Sequence, residues 1–307
     1  MYKDGFYPSG GTGQIHYGCW EPEGQPKAVV QIVHGIAEHI QRYDAFARYL
    51  NFLGCLVVAE DHMGHGQSVG ETGIQGYFYG GWFQAVEDTY QLLVQTRNAF
   101  ADIPYILFGH SMGSFMARTI LEVHPDSGIS ACIICGTGWM PEAVLKAGIV
   151  MCKGVCKLYG ETKPNAALQS VVFGSYNRRI EHPRTAYDWL TRDAKIVDAY
   201  IADPMCGFTV TAGLLRDMLT GILYIQNAKN LEKMEKFLPV HFIAGGDDPV
   251  GNYSSGVLKA AEAFKQVGLQ DISCRIYPLC RHEILNEINK QEIYEDIGQW
   301  IQGIIAK

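Results

Sequence analysis

A chain of 307 residues, 48% of them hydrophobic, is long enough to bury a substantial core, and an α/β sheet of this length commonly forms one domain. The formal charge of −7 supplies no excess of cations for phosphates, so nucleic acid is not expected as a partner. No apolar run reaches the roughly 18 to 20 residues that span a bilayer, and Met1 to Gly5 do not read as an export signal, so a cytoplasmic protein is expected.

The first twenty residues, with Pro8, Ser9, Gly10 and Gly11 between two short stretches, predict an antiparallel hairpin at a sheet edge. Short apolar, β-branched runs follow at 28–33, 55–59, 105–108, 129–135, 240–244 and 272–277. Each is too short for a helix and is bounded by Gly, Pro or Asp, which predicts a strand buried on both faces. Segments of helical period lie between them, at 41–52, 84–100, 112–123, 253–267 and 283–304. Strands and helices in alternation imply a mostly parallel sheet with helices on both faces.

Nine cysteines, an odd number, sit largely in apolar stretches, as reduced thiols do. Cys132 and Cys135 have C-x-x-C spacing, but in a strand residues three apart point to opposite faces and cannot share a metal.

The alternation breaks between residues 138 and 207, where no strand is legible. We therefore divide the chain into a core of residues 1–137 and 208–307 and an inserted helical cap of residues 138–207. The first cap helix is expected over 142–159, with Lys146, Lys153 and Lys157 on one face. Two readings fit it: a helix packed on the core with its lysines in water, or a lid offering apolar surface to lipid substrate or to a membrane surface in passing.

The strand at 105–108 runs into Gly109-His110-Ser111-Met112-Gly113 and then a helix. This is G-x-S-x-G in the strand-turn-helix context of a nucleophile elbow, with Ser111 as the nucleophile. A serine hydroxyl needs a base to take its proton, and the base needs an acceptor to hold its tautomer. In this arrangement acid and histidine follow the serine in that order. The strand at 240–244 ends in Gly245-Gly246-Asp247-Asp248, and the last strand is followed by His282, so His282 is the expected base. Two adjacent aspartates point apart, so one of Asp247 and Asp248 faces the histidine; the residues alone do not decide which. A tetrahedral oxyanion needs backbone donors. The amide of Met112 is one, and the loop after the first buried strand, His34-Gly35-Ile36-Ala37-Glu38-His39-Ile40-Gln41-Arg42-Tyr43, must supply the other.

Here the sequence resembles the monoacylglycerol lipase and lysophospholipase branch of the α/β-hydrolases. The resemblance rests on that H-G-x-x-E-H-x-x-R-Y loop, on Asp61-His62-Met63-Gly64-His65-Gly66-Gln67-Ser68, on Gly109 to Gly113, on Gly245 to Asp248 and on Tyr277 to His282. It implies the α/β-hydrolase fold with a helical cap, no metal and no cofactor. It places the catalytic acid on Asp248, the base on His282 and the second oxyanion donor on the amide of Ile36. Gly35, Glu38, Arg42 and His110 are expected to fix the oxyanion loop or meet the head group. The Asp61 to Ser68 loop holds metal-ligand types but reads as a glycine-rich turn that ties loops together.

The expected activity is hydrolysis of single-chain lipid esters, monoacylglycerols or lysophospholipids, through an acyl-enzyme. Short-chain carboxylesterase activity and acyl transfer to an alcohol are the alternatives. The cap sets acyl length and head group and shares only general character with the family. Ile36 stands where relatives often carry a smaller residue, and its side chain is expected to narrow the acyl entrance. These motifs do not encode the oligomeric state.

Overall fold

The computed structural model describes residues 1–307, apart from the side chains of residues 71 and 72. The chain opens with the antiparallel pair β1 (Tyr2–Pro8) and β2 (Gln14–Trp20). It continues through β3 (Ala28–Val33), α1 (Asp44–Phe52), β4 (Cys55–Glu60), α2 (Gly81–Ala99), β5 (Tyr105–His110), α3 (Met112–Val123) and β6 (Ala131–Cys135). Five helices then follow without a strand: α4 (Glu142–Tyr159), α5 (Ala166–Phe173), α6 (Ala194–Ala202), α7 (Ala212–Ile225) and the short α8 (Ala228–Leu231). β7 (Val240–Gly245), α9 (Ser255–Gln266), β8 (Ile272–Tyr277) and α10 (Lys290–Ile305) complete the chain.

The eight strands form one sheet in the order β1-β2-β4-β3-β5-β6-β7-β8, parallel from β4 to β8. This is the α/β-hydrolase fold. Alternation along each strand feeds two cores. Val29 and Val33 of β3 meet α2, α3 and α7 through Trp82, Phe115 and Leu215. Val30 and Ile32 face the other way, toward Phe46 of α1 and Ile297 of α10. Cys132 and Cys135 fall in these two different cores, on opposite faces of β6.

The chain leaves β3 toward β4 on one side and later places β5 on the other, so a topological switch point lies between β3 and β5. Open α/β sheets carry their sites in the crevice at such a point, beyond the carboxyl ends of the strands.

Two expectations need correction. β8 is not buried on both faces: Cys274 and Arg275 are exposed, because it is the last strand and its outer side is only partly covered. The last helix starts at Lys290, not at residue 283. The intervening stretch makes a 3₁₀ turn at Ile284–Asn286 and is held off the helical path by ion pairs of Glu283 to Arg42 and Glu287 to Arg192. The helix expected over 142–159 is present as α4. α4 packs along α7 through Leu145, Ile149 and Cys152, yet leaves Val144, Val150 and Leu158 exposed beside its lysines. Among the described residues no helix is long and apolar enough to cross a membrane.

Candidate active site

Ser111 occupies the turn between β5 and α3 with φ 54° and ψ −120°, a backbone conformation that costs energy for any residue with a side chain. The glycines around it make the turn possible. A Cβ on Gly109 would lie 2.5 Å from the Gly113 carbonyl oxygen, and one on Gly113 would overlap the Val33 carbonyl of the neighbouring strand. The strained turn is pinned by the Ser111 amide donating to Cys135 O at 3.0 Å and by Ser114 Oγ donating to Ser111 O at 2.6 Å. Met112 opens α3, so its amide has no partner within the helix and belongs to the positive end of the helix dipole.

The loops after β7 and β8 are laced together. Gly246 N–H donates to Tyr277 O and Asp247 N–H to Cys280 O, at 2.8 and 2.9 Å. A side chain on Gly245 would collide with the Cys280 and Arg281 carbonyls, which is why the strand ends in glycine. This lacing brings Asp248, fully buried, to His282, with Oδ1 3.0 Å from Nδ1. Asp247 faces solvent. Asp248 Oδ1 also accepts from the Val250 amide at 2.8 Å.

The loop after β3 is held by a buried polar network. Glu38 Oε1 accepts from the Gly35 amide at 2.6 Å and from Tyr43 Oη at 2.9 Å, and lies 3.3 Å from His110 Nδ1; Oε2 accepts from Arg42 at 2.6 Å. Arg42 reaches on to Glu283 in a bidentate pair, at 2.7 and 2.6 Å, and lies over the Tyr200 ring. Burial by itself would raise the Glu38 carboxyl; the Arg42 charge and His110 reverse this and hold it well below the ordinary carboxylate range. Burial likewise works against a charged His110, but its contact with Glu38 lifts it above the ordinary histidine value. His110 Nε2 lies 3.4 Å from His282 O, and the two rings are 4.9 Å apart. One network therefore joins Gly35, Glu38, Arg42 and His110 to the backbone beneath His282.

A cavity of about 310 Å³ opens over Ser111 and His282, with Ile36, Phe173, Trp189 and Phe208 in its wall. The sequence gives no sign of two features here. One is the stretch 188–192, which clasps the histidine loop: Trp189 O accepts from the His282 amide at 3.3 Å, Leu190 O from the Glu283 amide at 2.7 Å, and Arg281 donates to Asp188 O. The other is Phe173, at the end of α5. Neither lies near a motif, and only the packing of the insertion brings them over the serine.

In the Asp61 to Ser68 loop, Asp61 accepts from the Ile40 and Gln67 amides, each at 2.9 Å, and pairs with His16 at 2.8 Å, tying three segments together. His39, Asp203 and Cys206 bring three ligand-type atoms within 4.8 Å of one another. Their chemistry does not suit a cation. His39 and Asp203 already pair at 2.9 Å, burial pushes the Cys206 thiol far up, and the Arg42 guanidinium borders the same small cavity.

The chain matches the family described as serine aminopeptidase, S33, over residues 24–289. The chain belongs to this family. Among curated relatives it is 27% identical to the monoacylglycerol lipase of Mycolicibacterium smegmatis, over 94% of this chain and 92% of that one. It is also 27% identical to the human monoglyceride lipase, over 92% of this chain and 84% of the other. Among solved structures, a thermostable carboxyl esterase from Bacillus coagulans, in complex with glycerol, superposes with a TM-score of 0.92 at 30% identity and covers 99% of both chains. The chain is thus a hydrolase of the monoglyceride-lipase-like branch of the α/β-hydrolases.

Proposed function

We propose that the enzyme hydrolyses carboxylic esters of single-chain lipids, monoacylglycerols or lysophospholipids, through an acyl-enzyme on Ser111. The observation that carries this reading is the placement of Ser111, on a strained turn, and the Asp248–His282 pair together at the base of an apolar cavity. The names of the relatives point to the same ester chemistry.

His282 takes the Ser111 proton through Nε2 while Nδ1–H donates to Asp248, which fixes the tautomer and stabilises the imidazolium that forms. The serine oxygen attacks the ester carbonyl, and the Ile36 and Met112 amides hold the oxyanion. His282 then protonates the leaving alcohol, and water repeats the sequence on the acyl-enzyme. Gly35, Glu38, Arg42 and His110 hold the oxyanion loop against the histidine loop. Residues 138–207 serve as the cap, with the acyl chain lodged against Phe173 and Phe208. The exposed apolar residues of α4 support passing contact of this cap with a lipid surface.

A second reading, a broad carboxylesterase of short acyl chains, is favoured by the cavity size, which sits at the small end of the roughly 300–1,000 Å³ typical of ligand pockets. A hydrolysis panel separates the two: monoacylglycerols, lysophospholipids and nitrophenyl esters of rising chain length, with and without added glycerol as acceptor. We expect the highest kcat/KM on a lipid ester. A maximum on acetate or butyrate esters would overturn the lipid assignment, and acylglycerol products formed from glycerol would reassign the enzyme to acyl transfer.

A further inference from the structure

The Ile36 amide can meet an oxyanion only if its peptide is turned the right way. That amide N–H belongs to the same planar trans unit as the Gly35 carbonyl, and the two point to opposite sides. Whatever holds Gly35 O therefore aims the Ile36 N–H. Gly35 O lies 2.7 Å from Nδ1 of His34, a fully buried ring.

A ring nitrogen donates to a carbonyl only when it carries the proton, and a neutral imidazole carries one on one nitrogen alone. The second loop settles which. The His62 backbone N–H points at His34 Nε2 at 3.0 Å, so Nε2 must be the accepting nitrogen and the proton sits on Nδ1, facing Gly35 O. The exchange is reciprocal: His62 Nε2 lies 3.0 Å from His34 O, and the ring centroids are 4.0 Å apart. His34 O belongs to the His34–Gly35 peptide, whose N–H donates to Glu38. Two successive peptide units of the oxyanion loop are thus fixed, both with help from these histidines. Burial, followed by the neighbouring His62, keeps His34 well below its ordinary range, so the ring stays neutral at working pH. The loop needs this restraint because the residue after Ile36, Ala37, is held at φ 54°.

We infer that His34 and His62 are positioning residues for the oxyanion hole: an interlock between two loops that sets the direction of the Ile36 N–H by pinning the Gly35 carbonyl. The inference rests on the reading of Ile36 as an oxyanion donor. It assigns a task to the Asp61 to Ser68 loop, which otherwise only ties segments together.

The test is a matched pair at one position. His34→Asn keeps a donor near the place of Nδ1; His34→Gln keeps a polar group near Nε2 for the His62 amide but has no donor at Nδ1. We measure kcat and KM on a nitrophenyl ester, the affinity of a trifluoromethyl ketone that mimics the tetrahedral adduct, and the melting temperature. In His34→Gln we expect kcat to fall about 10²-fold, the cost of one oxyanion donor, with KM within about threefold and the ketone weakened by a similar factor. His34→Asn recovers at least about tenfold of that loss, and His62→Leu, which keeps the backbone N–H that fixes the His34 tautomer but removes the side-chain hold on His34 O, falls between. Equal kcat in Asn and Gln variants of equal stability, or a fall in kcat with ketone affinity unchanged, would overturn the inference and leave the hydrolase reading standing. A wild type that turns over no ester would overturn both. If the Gln variant does not fold, the Asn variant and His62→Leu still decide: wild-type kcat and ketone affinity in His62→Leu would remove the interlock's role.

Discussion

The two sides of the cavity are held by different physics. The side built on the sheet, with Ser111, His282, Asp248 and the loop after β3, is fixed by directed bonds: the Gly35 amide, the Tyr43 hydroxyl and the Arg42 guanidinium hold Glu38, and Arg42 reaches on to Glu283. The side built on the insertion presents Phe173 and Trp189, next to Phe208 just beyond it, and these meet the cavity through shape and apolar surface. Directed bonds place atoms to fractions of an ångström, which reaction chemistry demands. Apolar walls tolerate substitution of similar volume, which allows substrate choice to drift while the chemistry stays. Changes on the sheet side should therefore alter kcat on every ester alike, and changes on the insertion side should alter which ester is preferred.

The sharpest expression of the first half is Ser111→Ala. Removing the proposed nucleophile should lower kcat by about 10⁴ to 10⁶-fold on all chain lengths, with the melting temperature little changed, because alanine keeps the Cβ that strains the turn. Substantial turnover by the alanine variant would reject the acyl-enzyme. Next in size is Asp248→Asn, which leaves an amide that stabilises the wrong tautomer of His282; about 10⁴-fold in kcat is expected. Asp247→Asn, on the solvent side of the same turn, should stay within about twofold. The reverse pattern would move the acid to Asp247.

How much of this was legible follows from which forces are local. β3 and α3 could be read to their ends because their patterns and boundary residues agree. The elbow at Ser111 could be read because two glycines, a strand and a helix all lie within a few residues of it. Choosing Asp248 over Asp247 needed the resemblance, since two neighbours in one turn differ only in where the loop lacing points them. The start of α10 was misread because residues 283–289 have helical composition, and only partners far away in the chain, Arg42 and Arg192, hold them out of the helix. Phe173 and Trp189 were illegible for the same reason: their role depends on how α5 and the 188–192 stretch fold over the sheet.

A smaller effect probes whether the sheet side is uniformly well satisfied. Glu122 of α3 is fully buried, four residues beyond Arg118, and its carboxyl oxygens find no hydrogen-bond partner among the described residues. Burial raises it to about 8, with Arg118 pulling only partly the other way. Its folded value lies above the unfolded one, so between roughly pH 4.5 and pH 8 the unfolded chain has released this proton while the folded chain keeps it. Stability from this group is then intact below about pH 4.5 and falls as pH rises toward 8, by up to a few kcal/mol at about 1.4 kcal/mol per unit. Glu122→Gln should flatten that decline in denaturant melts taken from pH 5 to 9. An unchanged slope would show that the carboxyl is already ionised in the fold.

The smallest effect tests the insertion side directly. Phe173 is half-buried, ends α5, and stacks edge-on with Tyr176 at 5.6 Å while its ring borders the cavity. Phe173→Ala removes apolar wall and lengthens the space available to an acyl chain. A methylene in such a pocket is worth about 1–3 kcal/mol, so the ratio of kcat/KM on a long-chain to a short-chain ester should rise by about tenfold. Activity on a nitrophenyl acetate, too short to reach the residue, should change by less than about twofold. If Phe173→Ala instead lowered kcat equally on every chain length, as Asp248→Asn is expected to, the residue would be holding the histidine loop through its neighbours Tyr176 and Trp189, whose rings are 4.8 Å apart. The division between a bonded floor and an apolar roof would then fail at the point where the two meet.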